Sequence, residues 1–152
     1  MSDLSASSGI FTDPDELCLS FLIRQAWLNA RLAVDEVLGQ VDLSLAQYAC
    51  LLVLECQTEI TIADLARAVS STRQTANELL RGLTDQGLVD RRQHPGDRRS
   101  QLVSITAAGR ARLEDARPLV SKREEEFEAG FTAEQRGVIR QWLSGLAANQ
   151  TA

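Results

Sequence analysis

Residues 88–109 read LVDRRQHPGDRRSQLVSITAAG, and this stretch decides the fold. Two runs that favour extended structure, residues 88–92 and 101–105, lie on either side of the sequence QHPGD at 93–97. Because Pro-Gly is a strong turn signal between two such runs, the stretch predicts a β-hairpin. We expect a long, exposed and basic tip that displays Arg98 and Arg99.

A pair of short helices is predicted immediately before the hairpin. Thr61 with Asp64, and Ser71 with Gln74, have the spacing at which a side chain caps the first free amides of a helix. Each helix has an apolar inner face, and Gly87 follows the second one as a C-terminal glycine does. Two capped helices joined by a tight turn form a helix-turn-helix.

Longer helices are predicted on both sides of this pair. Apolar residues at helical spacing indicate a helix over residues 14–41, and a capping box at Ser44 opens another. A helical segment over 106–130 should be kinked or interrupted by Pro118, and a last helix opens at Thr132. The predicted fold is therefore mainly α, with a small β-hairpin wing on a winged helix-turn-helix lobe.

The distribution of charge favours a nucleic-acid partner although the net charge is −5. Residues 61–106 hold seven basic and five acidic residues, whereas residues 1–60 hold two basic and nine acidic ones. The helix pair and the hairpin are thus the net-positive part of an acidic chain. Since local charge matters more than its sum for DNA binding, we expect double-stranded DNA to bind there.

The second helix of the pair and the hairpin supply side chains suited to DNA. Arg can pair with guanine, and Gln or Asn with adenine, in the major groove. A guanidinium on a thin hairpin can enter the minor groove. We expect Asp97 to pair with Arg99 and orient it, or to cap the turn. The predicted DNA-contacting residues are Ser71, Thr72, Arg73, Gln74, Thr75, Asn77, Arg81, Arg98 and Arg99.

The stretch from Asp97 to Gly109 resembles the wing motif of the multiple-antibiotic-resistance regulator (MarR) family. That motif is Asp-x-Arg, five residues, Leu or Ile, then Thr and a nearby Gly. The matching positions are Asp97, Arg99, Ile105, Thr106 and Gly109, together with the upstream segments 43–54 and 87–91. The resemblance extends over about residues 17–146.

The resemblance implies a homodimeric transcriptional regulator, in many members a repressor of nearby genes. It divides the chain into a flexible N-terminus at 1–13, dimerisation helices at 14–42 and 107–148, and a DNA-binding lobe at 43–106. A dimer predicts an operator with two inverted half-sites. Terminal apolar residues that a monomer would leave partly exposed suit the dimer interface: Leu17, Phe21, Trp142 and Leu146.

The resemblance also implies a small, often phenolic, effector that binds between the dimer region and the DNA-binding lobe and releases DNA. An aromatic ring beside a guanidinium suits an aromatic carboxylate. The residues that could line such a pocket are Arg24, Trp27, Arg31 and Tyr48. A single Trp on an apolar helix is more often a core residue.

Two other functions stay open. Some family members sense oxidants through a cysteine on the first helix, and Cys18 lies about two residues before that position. Asp15 and Glu16 would raise its pKa, which favours a buried structural thiol. The second alternative is a winged helix that binds protein, but the outward polar residues lack the aromatic or apolar anchors of such a surface.

The sequence gives little support to an enzyme. It has no glycine-rich phosphate loop and no nucleophile motif, and His94 is its only histidine. Three cysteines without a CxxC spacing argue against a zinc site or a disulfide framework, so no metal or cofactor is expected. Because no apolar run reaches about eighteen residues and no signal peptide is visible, we expect a cytoplasmic protein without a membrane partner.

Overall fold

A computed structural model describes residues 17–148, so the flexible N-terminus expected at 1–13 lies outside the described residues. The described part is mainly α-helical with a β-hairpin, as the sequence predicts, and a third strand extends the hairpin to a three-stranded antiparallel sheet. The helices are α1 (Leu19–Leu38), α2 (Leu45–Cys56), α3 (Ile62–Ala68), α4 (Arg73–Asp85), α5 (Ala107–Phe127) and α6 (Ala133–Ala148). The strands are β1 (Ile60–Thr61), β2 (Val89–His94) and β3 (Asp97–Ile105), in the order β1-β3-β2.

The first helix begins later than the sequence predicts. Cys18 has extended backbone, and its carbonyl accepts the N–H groups of Phe21 and Leu22 at 3.0 and 3.2 Å. Within the described residues the helical hydrogen bonds therefore start at Cys18, and the predicted start at Pro14 lies outside those residues. A short 3₁₀ turn continues α1 to Val41, close to its predicted end.

Capping side chains start α2 and α3 as predicted. Gln47 Oε1 accepts the N–H of Ser44 at 3.0 Å, and Ser44 Oγ accepts the N–H of Gln47 at 3.2 Å, which completes the capping box. Thr61 Oγ1 accepts the N–H of Asp64 at 3.1 Å at the start of α3. Each bond satisfies an amide that has no partner inside the helix.

The start of α4 is one residue later than predicted. Ser70 takes a left-handed backbone (φ 51°), and the N–H of Ser71 closes the end of α3 on the carbonyl of Ala66 at 2.8 Å. The Ser71 hydroxyl donates to the carbonyl of Thr72 at 3.3 Å, and Thr72 is the cap, whose Oγ1 accepts the N–H of Thr75 at 3.1 Å. The predicted Ser71 cap is therefore wrong.

The hairpin is tighter than the sequence suggests. Strands β2 and β3 pair as far as His94 and Asp97, which leaves a two-residue turn at 95–96. The register jumps from Gln93 with Gln101 to His94 with Asp97, so residues 98–100 bulge from β3 without a paired residue on β2. The turn is shorter than expected, and Arg98 and Arg99 lie on this bulge of β3.

The core lies between the second half of α1, helices α2 to α4, the sheet and the first half of α5. Strand β1, which the sequence did not indicate, extends the sheet by pairing Ile60 with Val103. Each fully buried leucine contributes about 1.5–3 kcal/mol relative to exposure. The largest fully buried side chains are Leu38, Leu51, Leu54, Leu65, Leu80, Leu83, Leu88, Leu113, Val89, Val103 and Cys50.

Helix α5 is continuous through Pro118. The predicted interruption is wrong, whereas the predicted kink stays a prediction. Pro118 is exposed. Proline removes one backbone donor and leaves the carbonyl of Glu114 without its helical partner. On an exposed face, water can bond that carbonyl, so the helix persists to Phe127.

The threonine and glycine of the wing motif join the hairpin to α5. Thr106 Oγ1 donates to the carbonyl of Gly87 at 2.8 Å and accepts the N–H of Gly109 at 3.0 Å. The N–H of Thr106 donates to the carbonyl of Leu88 at 3.0 Å. A Cβ atom on Gly109 would lie 2.1 Å from that carbonyl oxygen, so only glycine permits the approach.

Within residues 17–148, no single helix is long and apolar enough to cross a membrane. The pair Leu19–Val41 and Leu45–Cys56 reaches that length and composition only together, across a bend of 73°. In the same part of the chain, no group of three or more His, Cys, Asp or Glu side chains is placed to hold a metal ion.

The Gly109 contact predicts a large cost for adding one methyl group. We expect Gly109→Ala to lower the free energy of unfolding by about 1–3 kcal/mol, the range for overpacking a filled site. Urea unfolding followed by circular dichroism measures it. Gly39→Ala is the control, because Gly39 has φ −56° and no atom within 4 Å of its Cβ position. Equal stability of wild type and Gly109→Ala would contradict the close contact between Gly109 and the carbonyl of Leu88.

Candidate nucleic-acid interface

Helix α4 presents a polar face anchored by a buried one. Ala76, Leu80 and Leu83 are fully buried and hold the helix on the core. The predicted DNA-contacting residues before and along α4 lie on its other side, where most of them are exposed: Ser71, Thr72, Arg73, Gln74, Thr75, Asn77 and Arg81. The first turn of α4 is therefore accessible to a groove of DNA.

The first turn carries few internal contacts among its exposed side chains. Gln74 Nε2 donates to Glu78 Oε1 at 3.4 Å, a long and exposed bond that water or a base can replace. The hydroxyl groups of Thr72 and Thr75 lie 2.9 Å apart at the cap. Donors and acceptors are thus presented together, as base recognition requires.

Asn77 differs from the other predicted contacts because both ends of its amide are engaged. Its Nδ2 donates to the carbonyl of Arg73 at 3.0 Å, and its Oδ1 accepts from Arg91 Nη2 at 3.0 Å. The same guanidinium donates to Gln101 Oε1 from Nε at 3.1 Å and from Nη2 at 2.8 Å. Arg91 therefore joins α4 to both strands of the hairpin, a role not predicted from the sequence.

The wing displays two arginines without internal partners. Arg98 and Arg99 are exposed, and neither side chain forms a hydrogen bond or ion pair within residues 17–148. Asp97 Oδ1 accepts the backbone N–H of Arg99 at 2.9 Å, so of the two expected roles the structure has the cap of the turn. The two guanidinium groups remain available to an external anion.

Gln93 holds the wing in shape, a role that was also not predicted from the sequence. Its Nε2 donates to the carbonyl of Arg98 at 2.6 Å and to that of Ser100 at 3.1 Å. His94 Nδ1 accepts the N–H of Gly96 at 3.0 Å and closes the turn. These bonds stiffen the strand that carries Arg98 and Arg99.

Glu59 binds Arg92 and holds it away from Arg98 and Arg99. Two guanidinium nitrogens donate to the two carboxylate oxygens across 33 residues of sequence. The hydrogen bonds lower the pKa of Glu59 and raise that of Arg92. The basic cluster seen in the sequence is therefore divided, with Arg91 and Arg92 engaged internally and Arg98 and Arg99 not.

Three of the four predicted effector residues lie around one groove. Trp27, Arg31 and Tyr48 line a space of about 350 Å³ between α1, α2 and α5, whereas Arg24 does not line it. Trp27 is 56% exposed, so its alternative role as a core residue is wrong. Burial raises the pKa of the Tyr48 hydroxyl, which keeps it a donor.

A second groove continues from the first toward α4. It measures about 300 Å³ and shares Trp27 and Arg31, and Ser71 and Thr75 lie on its other side. An occupant of these grooves would therefore touch the start of the helix that carries the DNA-contacting residues.

A third groove, between α1 and α6, is larger and almost entirely apolar. It measures about 650 Å³, and Trp142 is one of its lining residues, as are Leu22, Ile139 and Leu143. The other predicted interface residues lie outside it: Leu17 and Phe21 are half-buried, and Leu146 is exposed. No residue of α6 is buried within the described chain, so its apolar side chains remain accessible to solvent.

The cysteines differ from expectation at Cys18. It is exposed at the N-cap of α1, so the expected buried thiol is wrong. Hydrogen bonds from Ser20 and from the backbone of Phe21 lower the pKa of its thiol, opposite to the expected direction. Burial raises the pKa of Cys50 to about 11, which keeps that thiol protonated.

Together, the capped helix pair and the wing define a winged helix-turn-helix protein. A sequence profile of the MarR family matches residues 43–101. The HTH-type transcriptional repressor Rv2887 of Mycobacterium tuberculosis is 30% identical over 135 residues, which cover 89% of this chain and 97% of that protein. The chain belongs to the MarR family, as the wing motif indicated.

Solved structures agree with this assignment. A mutant MarR from Escherichia coli in complex with operator DNA has a TM-score of 0.79 at 25% identity, covering 89% of this chain and 99% of that one. The repressor CouR bound to a 23-mer DNA duplex has a TM-score of 0.80 at 27% identity, covering 86% and 92%. The chain is thus a transcriptional regulator of this family.

The Glu59–Arg92 pair predicts that removing an acid will strengthen DNA binding. In Glu59→Gln the freed Arg92 can contact phosphate, so affinity at low salt should rise and the salt slope should steepen by about one contact. Fluorescence anisotropy with a random-sequence duplex at several salt concentrations measures both. Glu125→Gln makes the same charge change far along α5 and should have little effect, because salt screens distant charges. Equal effects of the two variants would contradict a specific role for Arg92.

Proposed function

We propose that the protein is a ligand-responsive repressor that binds an inverted-repeat operator as a homodimer. The observation that carries the proposal is the exposed first turn of α4 next to two arginines without internal partners on β3. A protein-binding winged helix would instead need apolar anchors there. We place this non-catalytic activity in the cytoplasm.

The two parts of the surface suit two grooves of DNA. The first turn of α4, with Arg73, Gln74 and Thr75 exposed, suits the major groove, where base edges are distinguished. The thin hairpin brings Arg98 and Arg99 to the adjacent minor groove, whose negative potential attracts guanidinium groups. Specificity then comes from α4, and the wing adds affinity for any sequence.

The exposed apolar side chains of the terminal helices support a dimer. Val138, Trp142 and Leu143 on α6 are 62%, 42% and 47% exposed. Exposed apolar surface of this kind marks an interaction site, and a second copy can cover it symmetrically. A two-fold axis would present two α4 helices to half-sites about one helical turn apart.

The groove at Trp27 and Arg31 suits a small aromatic carboxylate. The indole ring supplies an apolar wall, and the guanidinium supplies a charge partner, with Asp35 at 3.5 Å as its present ion-pair partner. The Tyr48 hydroxyl can donate a further hydrogen bond. Because the neighbouring groove reaches Thr75, a bound ligand would act on the start of α4 and change DNA affinity.

Single substitutions should separate the two DNA contacts. We expect Arg99→Ala to weaken binding to all sequences and to lessen the salt slope by about one contact, because it removes a phosphate partner. We expect Gln74→Ala to cost about 1–3 kcal/mol on the operator and to relax sequence preference. Both are measured by anisotropy titrations on the DNA upstream of its own gene and on an unrelated duplex.

Lys122→Ala is the control for these variants, since it removes a positive charge from α5 outside the α4 and wing surface. Its salt slope should equal that of the wild type. A flat salt dependence of the wild-type protein, or an unchanged affinity in Arg99→Ala, would contradict the proposed function.

The effector groove predicts ligand-induced stabilisation. Benzoate and hydroxybenzoates should raise the melting temperature of the apo protein by mass action and lower its affinity for DNA. Arg31→Ala should abolish both effects, because the carboxylate loses its charge partner. Arg24→Ala should retain them, since Arg24 does not line the groove. Equal responses of the two variants would place the ligand elsewhere.

A further inference from the structure

We propose that Arg91 is a positioning residue that sets α4 against the wing through Asn77, and so determines how well the protein distinguishes its operator from other DNA. The inference rests on the proposed DNA-binding function. It assigns Asn77 to this link and not to a base contact.

Arg91 lies on the face of β2 that is directed toward α4. On β2, Val89 is buried at 2% exposure, and Arg91 follows it two residues later on the same face of the strand. Arg92 takes the opposite face and meets Glu59. Two consecutive arginines therefore serve different contacts because side chains alternate along a strand.

The bonds of Arg91 form a bridge between three elements. Nη2 donates to Asn77 Oδ1 on α4 at 3.0 Å, and Nη2 and Nε both donate to Gln101 Oε1 on β3 at 2.8 and 3.1 Å. The planar guanidinium can reach the two acceptors at once, whereas a lysine ammonium is a point charge without a fork.

Asn77 transmits the bridge to the backbone of α4. Its Nδ2 donates to the carbonyl of Arg73 at 3.0 Å, one turn earlier in the first turn of the helix. The amide is thus held at both ends, by the wing through Arg91 and by α4 itself. A shift of the hairpin relative to α4 must break one of these bonds.

The bridge lies between the two parts of the surface that contact DNA. Gln74 and Thr75 on one side and Arg99 on the other can engage adjacent grooves together only when their relative position is maintained. Non-specific binding depends on attraction to the phosphate charges and does not require a fixed position of α4 relative to the wing. Loss of the bridge should therefore affect the operator and spare other DNA.

Arg91→Lys tests this because it keeps the charge and removes the fork. The operator is first selected by the wild-type protein from a random duplex library, and affinities for it and for an unrelated duplex are then measured over several salt concentrations. We expect about a tenfold loss on the operator, which corresponds to roughly 1.4 kcal/mol. Affinity for the unrelated duplex and the salt slope should stay as in the wild type.

A double-variant cycle checks that the two residues act as one link. Asn77→Ala alone should give a similar loss, and the Arg91→Lys, Asn77→Ala protein should lose no more than either single variant. If Arg91→Lys folds poorly, as judged by the melting temperature of that variant, Gln101→Ala replaces it as the test variant, because it removes only the acceptor on the wing. Arg92→Lys, adjacent and equally charged, is the matched control and should leave the specificity ratio unchanged.

Three results would overturn the inference: unchanged operator affinity in Arg91→Lys, equal losses on both duplexes, or losses that multiply in the double variant. The second of these would identify Arg91 as a general contact, and the third would show independent roles. Failure of the wild-type protein to select any duplex would overturn the proposed function itself, and the inference with it.

Discussion

The close approach of α5 to the start of β2 at Gly109 is the constraint on which the rest of the structure depends. There, Thr106 bonds the carbonyl of Gly87 and the N–H of Gly109, and its own N–H bonds the carbonyl of Leu88. These contacts join the end of α4, the root of the wing and the first turn of α5. Because Leu88 and Leu113 are buried beside the joint, the hydrophobic core and the hydrogen bonds maintain the same geometry.

The positive charge that the hairpin presents depends on which of its arginines have internal partners, more than on the number of arginines. Four arginines lie on the hairpin, but Arg91 is bonded to Asn77 and Gln101, and Arg92 to Glu59. The remaining two, Arg98 and Arg99, carry the positive charge that faces outward. An acidic protein can thus present a small basic surface to a polyanion, while Arg91 and Arg92 stabilise the hairpin that carries this surface.

Local signals in the sequence were sufficient for most of the fold. The caps at Ser44 and Thr61, the Pro-Gly turn and the wing motif depend on neighbouring residues, and they predicted α2, α3, the hairpin and the family. The Thr72 cap was missed because it depends on the left-handed backbone at Ser70. The Glu59–Arg92 pair spans 33 residues, so no local pattern contains it. Arg91 did leave a signal, since it follows Val89 at the two-residue period of a strand whose core face was evident.

The unbroken course of α5 past Pro118 has a mechanical consequence. A helix of 21 residues is about 31 Å long, so one element runs from the root of the wing to Phe127. Leu113, Ala116 and Val120 are buried, so this helix packs on the core on both sides of Pro118. The length of the helix therefore sets the distance between the wing and Phe127. A break at Pro118 would have left that distance unfixed.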